Sequence, residues 1–185
     1  MRNLLILVVA ALAASGCANN ERRIAARQAN PAPCPNVFVL KDASRFIEFA
    51  DETSTLDSVA FSGAFDAVET RCRYYADVPI EAEVDLAFSI GRGPAAQEET
   101  FDVRYFVAVT RTNRDVIAKQ EFSTPVTFRP GQNVVQINQS IDDLIIPRRS
   151  DQTSGVNFEI AVGFVLDRRQ VLFNRSGRSL KFPEA

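Results

Sequence analysis

The chain has 185 residues, with 21 Lys and Arg against 23 Asp and Glu, a formal net charge of −2 and no histidine. That balance leaves no basic footprint for nucleic acid. The lack of His excludes Ser-His-Asp and Cys-His catalysis, His-ligated zinc and a histidine pH switch.

In chain order, Met1-Arg2-Asn3 precedes an unbroken apolar run from Leu4 to Ala13, followed by Ala14-Ser15-Gly16-Cys17. A short positive start, an apolar segment and small residues form the layout of a secretory signal peptide over 1–16. As a helix the apolar run spans roughly 15 Å, about half of a bilayer's hydrocarbon core, so it is a poor permanent span. Leu12-Ala13-Ala14-Ser15-Gly16-Cys17 resembles the lipobox of bacterial lipoproteins. That resemblance implies cleavage between Gly16 and Cys17 and a diacylglyceryl thioether on Cys17. It also implies acylation of the new amino group, with palmitate-type chains. Two or three chains hold a protein on a membrane stably where one does not. The competing reading is an ordinary signal peptide with an incidental cysteine. Ala18 and Asn19 follow the cysteine in place of an inner-membrane-retaining aspartate, which favours the periplasmic face of the outer membrane.

Residues 17–35 read as the lipidated cysteine and a tether: small and polar residues, Arg22, Arg23 and Arg27, then Pro31, Pro33 and Pro35. Its reach when extended is roughly 50–60 Å. Cys34 and Cys72 are an even pair in an oxidising compartment and read as one disulfide, the alternative being two unpaired thiols.

From Val37 the apolar residues recur with period two. Val37–Lys41 is a short first strand, and Val59–Tyr75 a strand around a bulge or bend at Gly63. Ala82 to Ile90, Phe101 to Val109 and Val156 to Leu166 each gather alternate apolar side chains on one face, as half-buried strands do. Thr112-Asn113-Arg114 is a hairpin connection into Val116–Phe128, where Pro125 marks an edge or a break. Arg129-Pro130-Gly131-Gln132 is a turn before a strand over Val134–Ile141, and loops fall at 91–99 and 148–155. Asp167 caps a helical turn over Arg168–Phe173.

About seven strands without a long helix predict an all-β, antiparallel two-sheet sandwich of immunoglobulin or fibronectin type III character over 36–175. A small β-barrel is the alternative, and 176–185 reads as a loose tail. A set of short motifs resembles a family of small alphaproteobacterial lipoproteins across 34–175. These are Cys34-Pro35-Asn36-Val37-Phe38, Cys72-Arg73-Tyr74, Gly93-Pro94, Tyr105-Phe106-Val107-Ala108-Val109, Gly163-Phe164 and Phe173-Asn174-Arg175. That family has no assigned activity, so the resemblance implies compartment and boundaries and no catalytic residue.

Candidate chemistry is thin. Glu98-Glu99 and Asp142-Asp143 are adjacent carboxylates without the alternating oxygen spacing of a calcium loop, and read as solvated charges. Glu81, Glu83 and Asp85 share one strand face, where like charges keep a sheet soluble. No Gly-x-Ser-x-Gly elbow or Ser-x-x-Lys motif appears. Gly91-Arg92-Gly93-Pro94 lacks the helix a phosphate loop needs and reads as a turn. The sequons at Asn138 and Asn174 carry no weight in a bacterium. Arg148, Arg149, Arg168, Arg169, Arg175 and Arg178 would meet phosphates or an acidic surface if they converged; a dispersed set is the plainer reading. Tyr74, Tyr75, Tyr105 and Phe106 each offer either a partner anchor or a packed ring.

The function these features predict is a non-enzymatic, membrane-anchored envelope lipoprotein that binds another envelope protein in assembly or maintenance. It has no metal, cofactor or nucleic-acid ligand, and its partners are membrane lipid through Cys17 and an envelope protein. The alternative is a lipoprotein binding a small glycan, peptide or lipid in a concave apolar pocket. An enzyme would need clustered carboxylates with raised pKa in a cleft. For the anchor, Cys17→Ser is expected to move the protein out of the membrane fraction, and mass spectrometry of the wild-type amino terminus to show an acylated Cys17. A Cys17→Ser protein that still sediments with membranes would refute the anchor.

Overall fold

The computed structural model describes residues 33–75, 78–112, 115–150 and 152–177; Gly16, Cys17, Asn113, Arg114 and Arg178 lie outside them. The fold is a β-sandwich of two four-stranded sheets. The strands are β1 (Asn36–Val39), β2 (Arg45–Phe49), β3 (Val59–Arg73), β4 (Ile80–Arg92), β5 (Thr100–Arg111), β6 (Val116–Thr127), β7 (Val134–Ile146) and β8 (Phe158–Phe164). A C-terminal helix, α1 (Arg168–Arg175), follows. One sheet has the order β1-β8-β5-β6 and the other β2-β3-β4-β7. The expected two-sheet sandwich is present, with eight strands among the described residues where about seven were expected.

The period-two stretches build the long strands. In β4, Ala82, Val84, Leu86, Phe88 and Ile90 are buried and alternate with half-buried or exposed Glu81, Glu83, Asp85, Ala87 and Ser89. Val103, Tyr105, Val107 and Val109 of β5 and Phe158, Ile160, Val162 and Phe164 of β8 close on them from the facing sheet. Aromatic rings cross the interior in a continuous chain. Phe61 stacks on Phe101 at 4.4 Å, Phe101 on Phe46 at 5.6 Å, and Phe46 meets Phe164 edge-on at 4.9 Å. Phe164 then touches Phe65 and Phe88, and Phe88 leads through Tyr105 to Phe122. Offset and edge-on ring pairs are worth about 0.5–1.5 kcal/mol beyond their area.

Three details differ from expectation. β1 pairs with β8 in parallel, so one sheet is not wholly antiparallel. The irregularity in β3 falls between Phe65 and Ala67. Gly63 instead permits a close approach: a Cβ there would collide with the Phe46 ring and lie 2.8 Å from Ile90 Cδ1. The two sheets remain separate, as the expected sandwich requires, and the alternative barrel does not close among the described residues. A strand unmarked in the sequence, β2, pairs with β3 across a bulge at Glu48/Phe49.

Other expectations match the geometry. Pro125 lies in β6, an edge strand, where its missing N–H breaks no ladder between two neighbours. Gln132 N donates to Arg129 O at 2.9 Å around Pro130 and Gly131, whose φ is +79°, as a type II turn requires. Cys34 and Cys72 form a disulfide with Cα atoms 5.6 Å apart, closing a separation of 38 residues.

Truncating the ring chain tests this packing. Phe88→Ala is expected to cost about 3–5 kcal/mol in denaturant unfolding, and Val116→Ala at an exposed position less than about 0.5 kcal/mol. Equal shifts in midpoint for the two would contradict the packing described.

Candidate functional site

β1 starts at one pole of the sandwich, here the entry pole, and α1 stands at the other. Asn36 lies opposite Glu159, Val39 opposite Val162, and α1 follows the far end of β8. Cys34, Cys72, Tyr74 and the 148–155 loop therefore share the entry pole, and α1 sits at the opposite one.

At that opposite pole α1 starts with a reciprocal cap. Gln170 N donates to Asp167 Oδ1 at 2.7 Å, and Asp167 N donates to Gln170 Oε1 at 3.0 Å. The helix lies along the free edge of β2. Asn174 Nδ2 donates to Asp42 O and Arg45 O at 2.9 and 2.8 Å, and Gln170 Nε2 reaches Ile47 O at 3.5 Å. These amides satisfy carbonyls that an open edge would leave to solvent or to another strand. Arg175 Nε contacts Asp42 Oδ2 at 2.6 Å, fixing the last turn. The ring of Phe173 meets that of Phe49 edge-on at 5.6 Å. Arg169 donates to Asp51 O and Ser54 Oγ, both at 2.9 Å, and its guanidinium stands 5.7 Å from the Phe49 ring centre.

Between helix and strand runs a groove of about 300 Å³ with an apolar floor of Ile47, Phe49, Leu172 and Phe173. A second hollow of about 520 Å³ continues it past Phe46, Phe101, Val165 and Leu166. Glu48 and Asp167 belong to both. Leu172 is 55% exposed, unusual for a leucine beside a packed core. Partial burial raises the pKa of Glu48, and the nearby charges of Asp167 and Glu98 raise it further. Glu48 is exposed as a whole residue, so this desolvation is incomplete. The groove thus offers apolar contact beside a carboxylate disfavoured as an anion.

The other candidate residues go elsewhere. Glu81, Glu83 and Asp85 face Arg71 and Arg73 of β3 in the cross-strand register: Arg71 bridges Glu83 and Asp85, and Arg73 pairs with Glu81. Ser140 Oγ donates to Asp85 Oδ1 at 2.8 Å. The acidic row is one side of a charge ladder on an exposed sheet face. Among the described residues no cluster of three His, Cys, Asp or Glu could hold a metal ion. Asp142 and Asp143 stand where the β4–β7 pairing is irregular, with Asp143 at φ +59°. Glu98 and Glu99 are in the exposed loop before β5.

The arginines do not form one patch. Arg148 is pinned at the entry pole, donating to Thr153 O and Val78 O at 2.6 and 3.0 Å with its guanidinium 4.7 Å from the Tyr74 ring centre. Arg149 follows it, whereas Arg168, Arg169 and Arg175 belong to α1. Tyr74 is a loop anchor, its hydroxyl accepting from Gly155 N at 2.8 Å. Tyr105 is buried and stacked on Phe122, and Lys119 lies over Phe106. Of the four aromatics Tyr75 is the outward one, 46% exposed.

Sequence reasoning missed Glu48, Phe49 and Leu172. The signal present was Phe46-Ile47-Glu48-Phe49, too short to separate from a loop by periodicity, with a leucine inside a helix already marked by its cap.

The pKa of Glu48 sets a pH dependence. A carboxyl whose pKa is higher folded than unfolded contributes most below its unfolded value, near 4.5, and loses that contribution as pH rises through the folded value. Glu48→Gln is expected to match wild type in thermal midpoint at about pH 3 and to exceed it at about pH 7. A difference that is constant with pH would remove Glu48 from this role.

No family model matches the chain, and no curated protein matches it. Among solved structures, it is similar to the variable (V) domain of the Streptococcus agalactiae AgI/II polypeptide BspA. The match covers 66% of this chain and 74% of that one, at 14% identity and a TM-score of 0.18. A superposition that loose carries no argument.

Proposed function

We propose that this chain is a lipid-anchored envelope protein, held by acylated Cys17 on the periplasmic face of the outer membrane. In this reading it has no catalytic role, and its sandwich docks a protein partner in the α1–β2 groove. The observation that carries the reading is the groove's place: an apolar floor with exposed Leu172, at the pole opposite the point where the tether joins. The chemistry that fits is an apolar side chain followed by Lys or Arg, the first on Phe49 and Leu172 and the second beside Glu48 and Asp167.

The groove meets in part the condition set for an enzyme, since Glu48 has a raised pKa with two carboxylates near it. Its neighbours argue for binding. Asp167 holds the amino terminus of α1, and Glu98 lies in an exposed loop. Neither is placed as the second member of an acid/base pair.

Native protein and a Leu172→Glu variant, recovered in parallel from cross-linked membranes, test the reading. A reproducible partner with wild type, lost with Leu172→Glu at unchanged thermal midpoint, is the expected outcome. The same partner recovered equally with the variant would move the docking site elsewhere, and recovery of none would overturn the proposal.

A further inference from the structure

The two sheets have four edges, and three are blunted. In the first sheet β1 is four residues long, and β6 carries Pro125, with Lys119 and Glu121 paired across its surface. In the second sheet α1 covers β2 with its side-chain amides. The fourth edge, β7, is 13 residues long, and from Val134 to Ile141 it contains no charge, proline or glycine. Natural sheets usually place such residues on a bare edge to prevent pairing with another chain.

The backbone of this edge faces outward with a definite parity. Arg92 N donates to Asn133 O, and Gly91 lies opposite Val134. Alternation along an antiparallel pair then directs the N–H and C=O of Val135, Ile137, Gln139 and Ile141 towards β4. Those of Gln136, Asn138 and Ser140 point away from the sheet. On the core side of the strand Val135, Ile137 and Ile141 are only half-buried, although they pack against the hydrophobic cluster. Val134 at the start of the run is 57% exposed.

We infer that β7 is a self-association edge: it pairs antiparallel with β7 of a second copy of this chain about a two-fold axis through Asn138. In that register Asn138 opposes itself and Gln136 opposes Ser140, all with outward-pointing backbone groups, and Val134 falls opposite Asp142. Val135 covers Ile141 of the other copy, and Ile137 meets Gln139. Charge selects the register. Asp142 and Asp143 stay opposite or beyond the neutral start of the partner strand, whereas moving the axis four residues towards the carboxyl end would set Asp142 against itself, a destabilising like-charge pair. Sliding the other way runs the pairing into the turn at Pro130 and Gly131. The irregularity at Asp143 ends the flat run on its own side.

A second copy fits better than a foreign peptide because the run is self-complementary. Asn, Gln and Ser amides and hydroxyls donate and accept equally, and from Val134 to Ile141 no charge selects a different partner. An antiparallel pair puts the two entry poles at opposite ends. The α1–β2 grooves then lie at the two outer ends, clear of the joined edge. The association does not depend on what occupies them.

Cysteine placement in the full chain, oxidised in isolated membranes, tests this directly. Residues that oppose themselves in such a pair have Cα atoms about 5.5 Å apart, within disulfide reach. Asn138→Cys is expected to give a reducible covalent dimer, and Gln120→Cys on the β6 edge to remain monomeric. For the detergent-solubilised native protein, light scattering is expected to give a dimer, and for Asn138→Lys, which sets like charges on the axis, a monomer with unchanged thermal midpoint. A wild-type monomer, an Asn138→Cys protein that does not cross-link, or a dimer that survives Asn138→Lys would each overturn the assignment.

Discussion

The structure depends on the chain of aromatic rings between the sheets. Phe46, Phe61 and Phe101 form its stacked arm at one end; Phe65, Phe88, Phe164 and Tyr105 form the edge-on centre. Each ring comes from a different strand or a different turn of the pleat, so each contact joins elements far apart in sequence. A protein with 14 phenylalanines and no tryptophan fills its interior with one shape repeated. Rings of one size pack by alternating stacked and edge-on geometry. Glycine at position 63 follows from this, because the Phe46 ring occupies the space a larger residue would need.

A filled interior moves the possibilities for recognition to the margins. At the pole of α1, the helix satisfies the carbonyls of β2 with amide side chains and in doing so leaves a floor of Phe49, Leu172 and Phe173 beside Glu48. Edge protection and groove formation are one event: the helix lies close enough to bond the strand but too high to bury it. At the entry pole, a similar set of contacts does the opposite. Tyr74 and Arg148 lock the loop before β8 onto the sandwich near the Cys34–Cys72 bridge. One pole is tied down and the other is open to contact.

The outer face of β3 and β4 shows how strongly register governs chemistry. Glu81, Glu83 and Asp85 read in sequence as a run of like charge. Antiparallel pairing places Arg73 opposite Glu81 and Arg71 opposite Glu83. These exposed pairs contribute little stability each, but they remove the unbalanced field that a metal or a cationic ligand would need. Arg148 and Arg169 undergo the reverse change, because their hydrogen bonds to Val78 and Thr153 and to Asp51 and Ser54 hold them as structural braces in two separate places.

Much of this was legible in the sequence wherever a local rule suffices. Alternation in Ala82–Ile90 marks a half-buried strand because the pleat has period two. Pro130-Gly131 marks a turn because their φ angles are restricted or permissive, and Asp167 marks a helix start because its side chain can serve backbone N–H groups three residues on. Each depends on neighbours within a few residues. The strand order, the parallel pairing of β1 with β8, the bulge at Phe65/Ala67 and the docking of α1 on β2 came only with the tertiary structure. They balance long-range contacts, chiefly between rings, against chain entropy, and five residues such as Arg45–Phe49 carry too little local preference to reveal their partner. The same holds for the groove: Glu48 acquires its raised pKa from burial and from carboxylates distant in sequence, which no local pattern records.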